Sequence, residues 1–501
     1  MKKKLVVAVV LLLICLVAVT SFFVFNQNGH KQFYVGVTYC GGSVQEAKEL
    51  VDKVKDYTNL FVLQSGHLQG YTSAMEEIGD YVVASKMNYA IGSSTSESLG
   101  LSTQQLSSWL IEAKERWGKQ FIGIYYDDEP GGKMLDGVGL TLKRDAQINK
   151  TTAMSIEKYG RSISVRTTNN VEYNNINNNS LEDTGLQVRV LSDTSTSTTA
   201  VTYGDNGEIS LVTVGADSRG HYTEYINYYS NRTITIQEFT DAGYKFYAPE
   251  DITKYTGSLL SYEVLVEQNP IQTYGDAADV FVDMQRGLLE GIDKTQLNKQ
   301  DLLVFTADYG LYWWNYKGGY DVVLAELAWN HSAAQHIGLV RGAANLLGKS
   351  WGTILTWKYT QTPYLAEGEE MFEQMKLSYE AGAEYVIIFN YSEDPTNPNT
   401  LQEEHFQALE HFWTEVVQNP KVIHGGISAE AVLVLPKNYG WGMRNPQDNI
   451  WGLWDADDTC QPIWDQMQTR LNQYGAKLDI VYDDPNYQIA NRYPNIYYWN
   501  K

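Results

Sequence analysis

Two carboxylic acids held near each other can cleave a glycosidic bond, one giving a proton to the leaving oxygen and the other acting as nucleophile, base or steering group. The chain offers such acids in two short runs. The first is Phe121-Ile-Gly-Ile-Tyr-Tyr-Asp127-Asp128-Glu129-Pro130, an apolar strand that ends in three acids. Side chains alternate along a strand, so Tyr125, Asp127 and Glu129 are expected to point one way. Carboxyls that close cannot both ionise cheaply, and one pKa should rise. A carboxyl kept protonated near neutral pH suits a general acid. Glu129 is therefore the expected proton donor, with Asp127 or Asp128 as its partner. The second run is Val322-Val-Leu-Ala-Glu-Leu-Ala-Trp-Asn330, in which Glu326 is a further catalytic or substrate-holding carboxylate. Acid and nucleophile stand about 5 to 5.5 Å apart in retaining glycosidases, and about 6.5 to 9.5 Å separates acid and base in inverting ones. Plainer alternatives stay open: a solvated acidic loop or cation site at 127–129, and a salt-bridged Glu326 inside the fold.

The elements that must carry these acids recur as β/α units. Phe33–Thr38 reads as a buried strand and Val44–Tyr57 as an amphipathic helix. The pattern repeats with strands at Leu60–Gln64, Tyr89–Gly92 and Phe121–Tyr126, and resumes with Leu302–Thr306, Val322–Leu327, Thr353–Trp357 and Tyr385–Asn390. Eight such units with apolar strands point to an α/β fold, a (β/α)8 TIM barrel, over an open doubly wound sheet. In such a barrel the strand C-termini form the active face. The polar and aromatic residues expected there as substrate-binding are Tyr39, Gln64, Asp308, Tyr309, Trp313, Trp329, Asn330, Trp357, Lys358, Asn390 and Tyr391. Tyr312 and Trp314 extend the aromatic cluster. Flat rings stack on pyranose C–H surfaces, although aromatic clusters also build cores.

The β/α rhythm is interrupted after the fourth strand. Residues 131–272 are rich in Asn, Ser and Thr and alternate β-branched residues over Arg161–Arg166, Leu186–Leu191, Thr198–Tyr203, Glu208–Val214 and Thr233–Ile236. Asp205-Asn206-Gly207 is a turn signal. This reads as a β-rich insertion leaving the barrel beside Glu129, where it is expected to border the cleft. The expected divisions are 1–27 as a signal anchor or transmembrane helix, 33–130 and 273–420 as the barrel halves, 131–272 as the insertion, and 427–501 as a small C-terminal α/β domain. That last part holds the strands Ala431–Pro436 and Leu478–Tyr482 around a helix near 461–474.

On these residues the chain resembles known glycosidases. The run F-x-G-I-x-x-D-x-E ending at Glu129 resembles the fourth-strand motif of chitinase-type family 18 glycoside hydrolases, with Asp127 and Glu129 matching its last acidic pair. Asp128-Glu129-Pro130 is similar to the D-E-P of family 123 N-acetylhexosaminidases. The likeness departs at Ile122 and Tyr125, where the chitinase pattern carries aspartates. It implies that Glu129 is the acid and that the preceding aspartate steers the substrate's own acetamido group as nucleophile. The tail Leu435-Pro-Lys-Asn-Tyr-Gly-Trp-Gly is similar to accessory domains of barrel β-galactosidases. Those retaining barrels place a nucleophile after strand seven, where this chain has Lys358.

The wider composition narrows the partners. With 60 acidic against 38 basic residues the formal charge is -22, a field that disfavours nucleic acid. Met1–Lys4 followed by the uncharged run Leu5–Phe25 suits a single-pass anchor with the body outside the membrane, or a leader removed on secretion. The membrane is then met through the N-terminal helix alone. Cys40 and Cys460 either pair or remain free thiols. Asn149, Asn178, Asn231, Asn330 and Asn390 begin glycosylation sequons. His331 and His336 are spaced five apart without an H-E-x-x-H, Gly342–Ser350 misses the phosphate-loop spacing, and neither metal nor cofactor is expected. The expected function is an extracytoplasmic glycoside hydrolase acting on an oligo- or polysaccharide by carboxylate acid catalysis, directly or with help from an N-acetyl group. The alternative is a non-catalytic glycan-binding or cell-envelope scaffold protein.

Overall fold

Eight parallel strands close on themselves into a barrel, each hydrogen-bonded to a neighbour on either side. The computed structural model describes residues 32–68, 72–93, 101–138, 271, 273–329, 331–392 and 399–500, with the backbone of eight further strands between 152 and 247. The first half runs β1 (Tyr34–Tyr39), α1 (Val44–Val54), β2 (Leu60–Leu63), α2 (Thr72–Ala84), β3 (Asn88–Ser93), α3 (Thr103–Trp117), β4 (Phe121–Tyr126) and the short α4 (Pro130–Lys133). The insertion holds β5 (Thr152–Lys158), β6 (Arg161–Thr167), β7 (Val171–Asn175), β8 (Gln187–Asp193), β9 (Ser197–Tyr203), β10 (Ile209–Ala216), β11 (Tyr222–Tyr229) and β12 (Lys245–Tyr247). The second half runs α5 (Tyr274–Gly291), α6 (Lys294–Lys299), β13 (Leu303–Asp308), α7 (Tyr312–Gly318), β14 (Val322–Leu327), α8 (Ala333–Leu347), β15 (Ser350–Leu355), α9 (Gly368–Glu380), β16 (Tyr385–Ile388) and α10 (Glu403–Phe412). Pairing of Tyr34 with Tyr385 and of Val37 with Ile388 seals the barrel. It is a (β/α)8 barrel interrupted after its fourth strand, as the repeating pattern predicts.

Strand parity divides the apolar residues into two cores. Val35, Val37 and Tyr39 of β1 face the helices, as do Phe61 and Leu63 of β2. Leu60, Val62, Ala90, Ile122, Tyr125, Phe305, Ala307, Val322, Leu324, Ile354, Tyr385 and Ile387 fill the barrel interior. Capping fixes several helix starts: Ser102 and Gln105 form a capping box before α3, and Thr273 and Asp276 form another before α5.

One irregularity matters for chemistry. The register between β3 and β4 shifts at Tyr89 and Ala90, which pair with Phe121 and Gly123. Ile122 and Tyr125 therefore both face inward although three positions separate them. Gly123 sits at φ 147° against the Leu303 carbonyl, where a Cβ would collide.

The insertion forms two antiparallel four-stranded sheets, ordered β11-β10-β9-β8 and β12-β5-β6-β7. Four of the expected strands coincide with β6, β8, β9 and β10. Thr233–Ile236 and the Asp205-Asn206-Gly207 turn lie outside the described residues, as do the expected anchor at 1–27 and the links between insertion and barrel. Among the described residues no helix is long and apolar enough to cross a membrane.

The C-terminal unit is a three-stranded parallel sheet with β17 (Ala431–Leu435) between β18 (Leu478–Tyr482) and β19 (Asn495–Tyr498), joined by α11 (Cys460–Tyr474). It docks on α8, where a Cβ at Gly338 would stand 2.6 Å from the Leu478 carbonyl. Buried Arg341 crosses this seam to Asp479 at 2.7 Å. Cys40 and Cys460 are free and buried, which removes the pairing option. Burial pushes the Cys40 thiol up to about 12.

Candidate active site

A cavity of about 310 Å³ opens at the C-terminal ends of the barrel strands. Its acids are Asp128, Glu129 and Glu326, and its rings are Tyr125, Trp329, Trp357, Phe389 and Tyr391. Gln64, Ala307, Ile354 and Thr356 complete the lining.

Each acid arrives by a different route. Glu326 stands at an inward position of β14, two residues beyond Leu324, and is only 4% exposed. Asp128 and Glu129 come from the turn after β4. There simple alternation fails, because Asp127 and Glu129 adopt left-handed backbone at φ 59° and 49°. This swings Asp127 off the cavity lining and brings in Asp128. Asp127 instead lies 3.7 Å from the Lys133 ammonium and accepts the Asp128 N–H. The expectation that Asp127 and Glu129 face the same space is thereby corrected: Asp128 is the neighbour of Glu129 in the cavity.

Glu129 and Glu326 are joined by a side-chain hydrogen bond. Burial raises the pKa of both, and for each the other nearby acids add to the rise, with Asp128 acting on both and Glu129 on Glu326. Burial, with the charge of Glu129 beside it, holds Glu326 well above the usual carboxyl range. Lys133 opposes the rise at Glu129. Tyr125 donates its hydroxyl to Asp128. Burial, then the Asp128 charge, holds that phenol far above its usual range.

The rings are unevenly distributed. Trp329 follows β14, Trp357 follows β15, and Phe389 and Tyr391 follow β16, three consecutive staves that end at the one opposite β4. Trp357 stacks on Tyr391 at 5.9 Å with planes 10° apart, and its indole N–H donates to the Tyr391 carbonyl at 2.7 Å. Trp329 is 41% exposed and Tyr391 36%, an arrangement that leaves ring faces free for a ligand. Gln64, just beyond β2 at the next inward step after Val62, buries its Oε1 without a partner among the described residues. Gly92 makes room for it, since a Cβ there would lie 2.9 Å from Gln64 Cγ.

Of the expected binding residues, Gln64, Trp329, Trp357 and Tyr391 reach the cavity. The others do not. Tyr39 has outward parity and donates its hydroxyl to the Ser43 carbonyl at 2.8 Å. Asp308 is fully buried behind the wall, bound to backbone N–H groups of the turn after β4. Tyr309 donates to Asp136 at 2.5 Å, outside the lining. Trp313 packs on Tyr482 and Tyr487 of the C-terminal unit, and Trp314 on Trp451 and Tyr482, so this cluster is interdomain core. Tyr312 bonds His336 Nδ1 at 2.6 Å. Lys358 pairs with Glu370. Asn390 is buried and accepts the Thr400 and Leu401 N–H groups, which also makes it inaccessible to glycosylation. Asn330 and the other three sequons, at Asn149, Asn178 and Asn231, lie outside the described residues.

Tyr125, expected on the face of Glu129, does line the cavity, whereas Thr356 and Phe389 are not among the expected residues, because only inward parity near the ends of β15 and β16 marks them. Parity was the available signal for the last two: Ile354 and Ile387 face inward, and Thr356 and Phe389 follow at the next inward steps.

No protein-family model matches this chain, and no curated protein matches it. Among solved structures, a chain of the Cryptosporidium parvum pyruvate kinase crystal structure matches at 10% identity over 82% of each chain, with a TM-score of 0.29. A likeness that low carries no argument about activity.

Proposed function

We propose that the chain is an extracytoplasmic glycoside hydrolase that breaks an O-glycosidic bond in an N-acetylated oligo- or polysaccharide. The observation that carries this reading is the hydrogen-bonded Glu129–Glu326 pair on the floor of a cavity walled by Trp329, Trp357 and Tyr391. Burial and like charge keep one proton on that pair, so an acid is available near neutral pH. Glu129, the less enclosed member, takes that proton across the shared hydrogen bond from Glu326 and hands it to the glycosidic oxygen. The bond to the leaving oxygen breaks as the oxygen takes that proton.

Direct contact sets the two carboxyls closer than the separation of about 6.5 to 9.5 Å that admits an attacking water. An inverting pair is therefore disfavoured. An acetamido group on the sugar supplies the nucleophile instead, attacking the anomeric carbon through its carbonyl oxygen. Asp128, held by Tyr125, steers that group and offsets the positive charge developing on it. Water then opens the cyclic intermediate, returning its proton to the pair. The stacked rings bind the sugar's C–H faces.

The test is turnover of the purified ectodomain on paired N-acetylated and unsubstituted oligosaccharides. Cleavage confined to N-acetylated substrates is expected. Equal cleavage of both moves the mechanism to direct displacement by a carboxylate, and tight binding of every glycan without cleavage of any contradicts the hydrolase reading in favour of a glycan-binding protein.

A further inference from the structure

The turn that carries the acid is strained, and something must hold it. Asp127 and Glu129 are both non-glycine residues in left-handed backbone, separated by Asp128 alone. Such residues cost on the order of 1 to 3 kcal/mol each and persist where the surroundings over-determine them. The surroundings here are three consecutive residues at the end of β13. Thr306 donates its hydroxyl to the Asp127 carbonyl at 2.9 Å. The Ala307 carbonyl accepts the Glu129 N–H at 3.0 Å. Asp308 accepts the Gly131 N–H at 2.6 Å on Oδ2 and the Gly132 N–H at 2.9 Å on Oδ1.

Asp308 is itself fixed. Its Oδ1 also accepts the Tyr309 N–H at 2.8 Å and the Gly310 N–H at 3.2 Å, and Asn315 donates to Oδ2 at 2.6 Å. Five N–H donors with no room to spare leave no acceptor site for a sugar. Close approach also explains Gly131: a Cβ there would lie 2.6 Å from Asp308 Oδ2. The pattern resembles a carboxylate cap drawn from another strand.

We infer that Asp308 is the positioning residue for the proton donor: it clamps the Gly131 and Gly132 amides, and with Thr306 and Ala307 it templates the turn that aims Glu129 at Glu326. The role rests on the reading of Glu129 as the acid. It acts on where Glu129 stands, not on how the glycan binds, so its loss lowers kcat and spares KM. A misplacement of about 1 Å in a catalytic group costs on the order of 10²-fold.

The experiment uses Asp308→Asn, which keeps shape and removes one carboxylate oxygen, in the full chain. Two readouts are taken: kcat and KM on the best-cleaved oligosaccharide, and amide hydrogen exchange over 127–133. The expected result is a kcat loss of about 10²-fold with KM within about twofold, and exchange at Gly131 and Gly132 at least about tenfold faster than wild type. Unchanged protection of those two amides overturns the positioning role whatever happens to turnover. Unchanged kcat in an enzyme that cleaves glycans overturns it equally, while a wild type that cleaves none defeats the glycosidase reading and leaves the exchange result to decide the clamp. Should Asp308→Asn not fold, Thr306→Val removes the hydroxyl that bonds the Asp127 carbonyl at 2.9 Å and, more weakly, the Ala307 carbonyl at 3.2 Å. A severalfold loss of kcat with faster exchange at Asp128 is expected there, and wild-type behaviour in both overturns the template.

Discussion

Two buried carboxylates, on strands that both pack against α8, are treated in opposite ways. Asp479, at the seam between α8 and the C-terminal sheet, is fully buried beside Arg341 and takes a Tyr493 hydroxyl at 2.8 Å. Arg341 spends its remaining donors on the carbonyls of Ala476, Leu478 and Ile427. Glu326 on the cavity floor has no basic partner among its hydrogen bonds; its neighbour is another acid, Glu129. Burial raises the pKa at both sites, but at Asp479 the arginine opposes the rise, and at Glu326 the nearby acids reinforce it. A seam that only has to hold is compensated. On the proposed reading, the uncompensated pair opposes folding and persists because it keeps a proton ready for chemistry.

The comparison breaks if the two sites respond alike to substitution. The largest expected effect is Glu129→Gln, which should lower turnover by about 10³-fold, within the range for a general acid, while the melting temperature stays within about 2 °C. A matching loss of stability would make Glu129 structural. Next comes Arg341→Ala. Leaving Asp479 buried and unpaired should cost about 3 to 5 kcal/mol in urea unfolding, with turnover per folded molecule unchanged.

Trp357→Ala tests the ring wall. Losing one stacked face should raise KM roughly tenfold, about 1.4 kcal/mol, with kcat nearly constant; a fall in kcat alone would contradict a binding role. The smallest effect, and the sharpest contrast with the seam, is Glu326→Gln. A carboxyl whose folded pKa is raised binds more protons folded than unfolded, so it opposes folding increasingly as pH climbs above its ordinary range. The variant should gain about 1 kcal/mol at pH 8, and the gain should fade as pH drops toward about 4. Destabilisation at pH 8 would show that Glu326 is a structural ion partner.

Periodicity alone disclosed most of the barrel, because eight buried parallel strands leave eight apolar runs at regular spacing. The cavity acids were legible for the same reason: Glu326 lies two residues beyond inward Leu324, and Glu129 ends the most acidic strand terminus. What escaped was local backbone. Tyr39 was mistaken for a site residue by one position of parity, and Asp127 by left-handed conformations that no side-chain pattern announces. Trp313 and Asp308 have the right chemistry for a sugar site and were claimed by other partners, the C-terminal sheet for one and the turn after β4 for the other. Those partners are distant in sequence, so composition could not expose them.

The most direct measurement is the pH dependence of kcat/KM for the wild-type chain on its best N-acetylated substrate. A proton shared between Glu129 and Glu326 predicts an alkaline limb whose apparent pKa lies well above that of an ordinary glutamate, reported for the pair as a unit. Activity that climbs through the carboxyl range and stays level to about pH 9 would contradict it, because such a site works with both acids ionised.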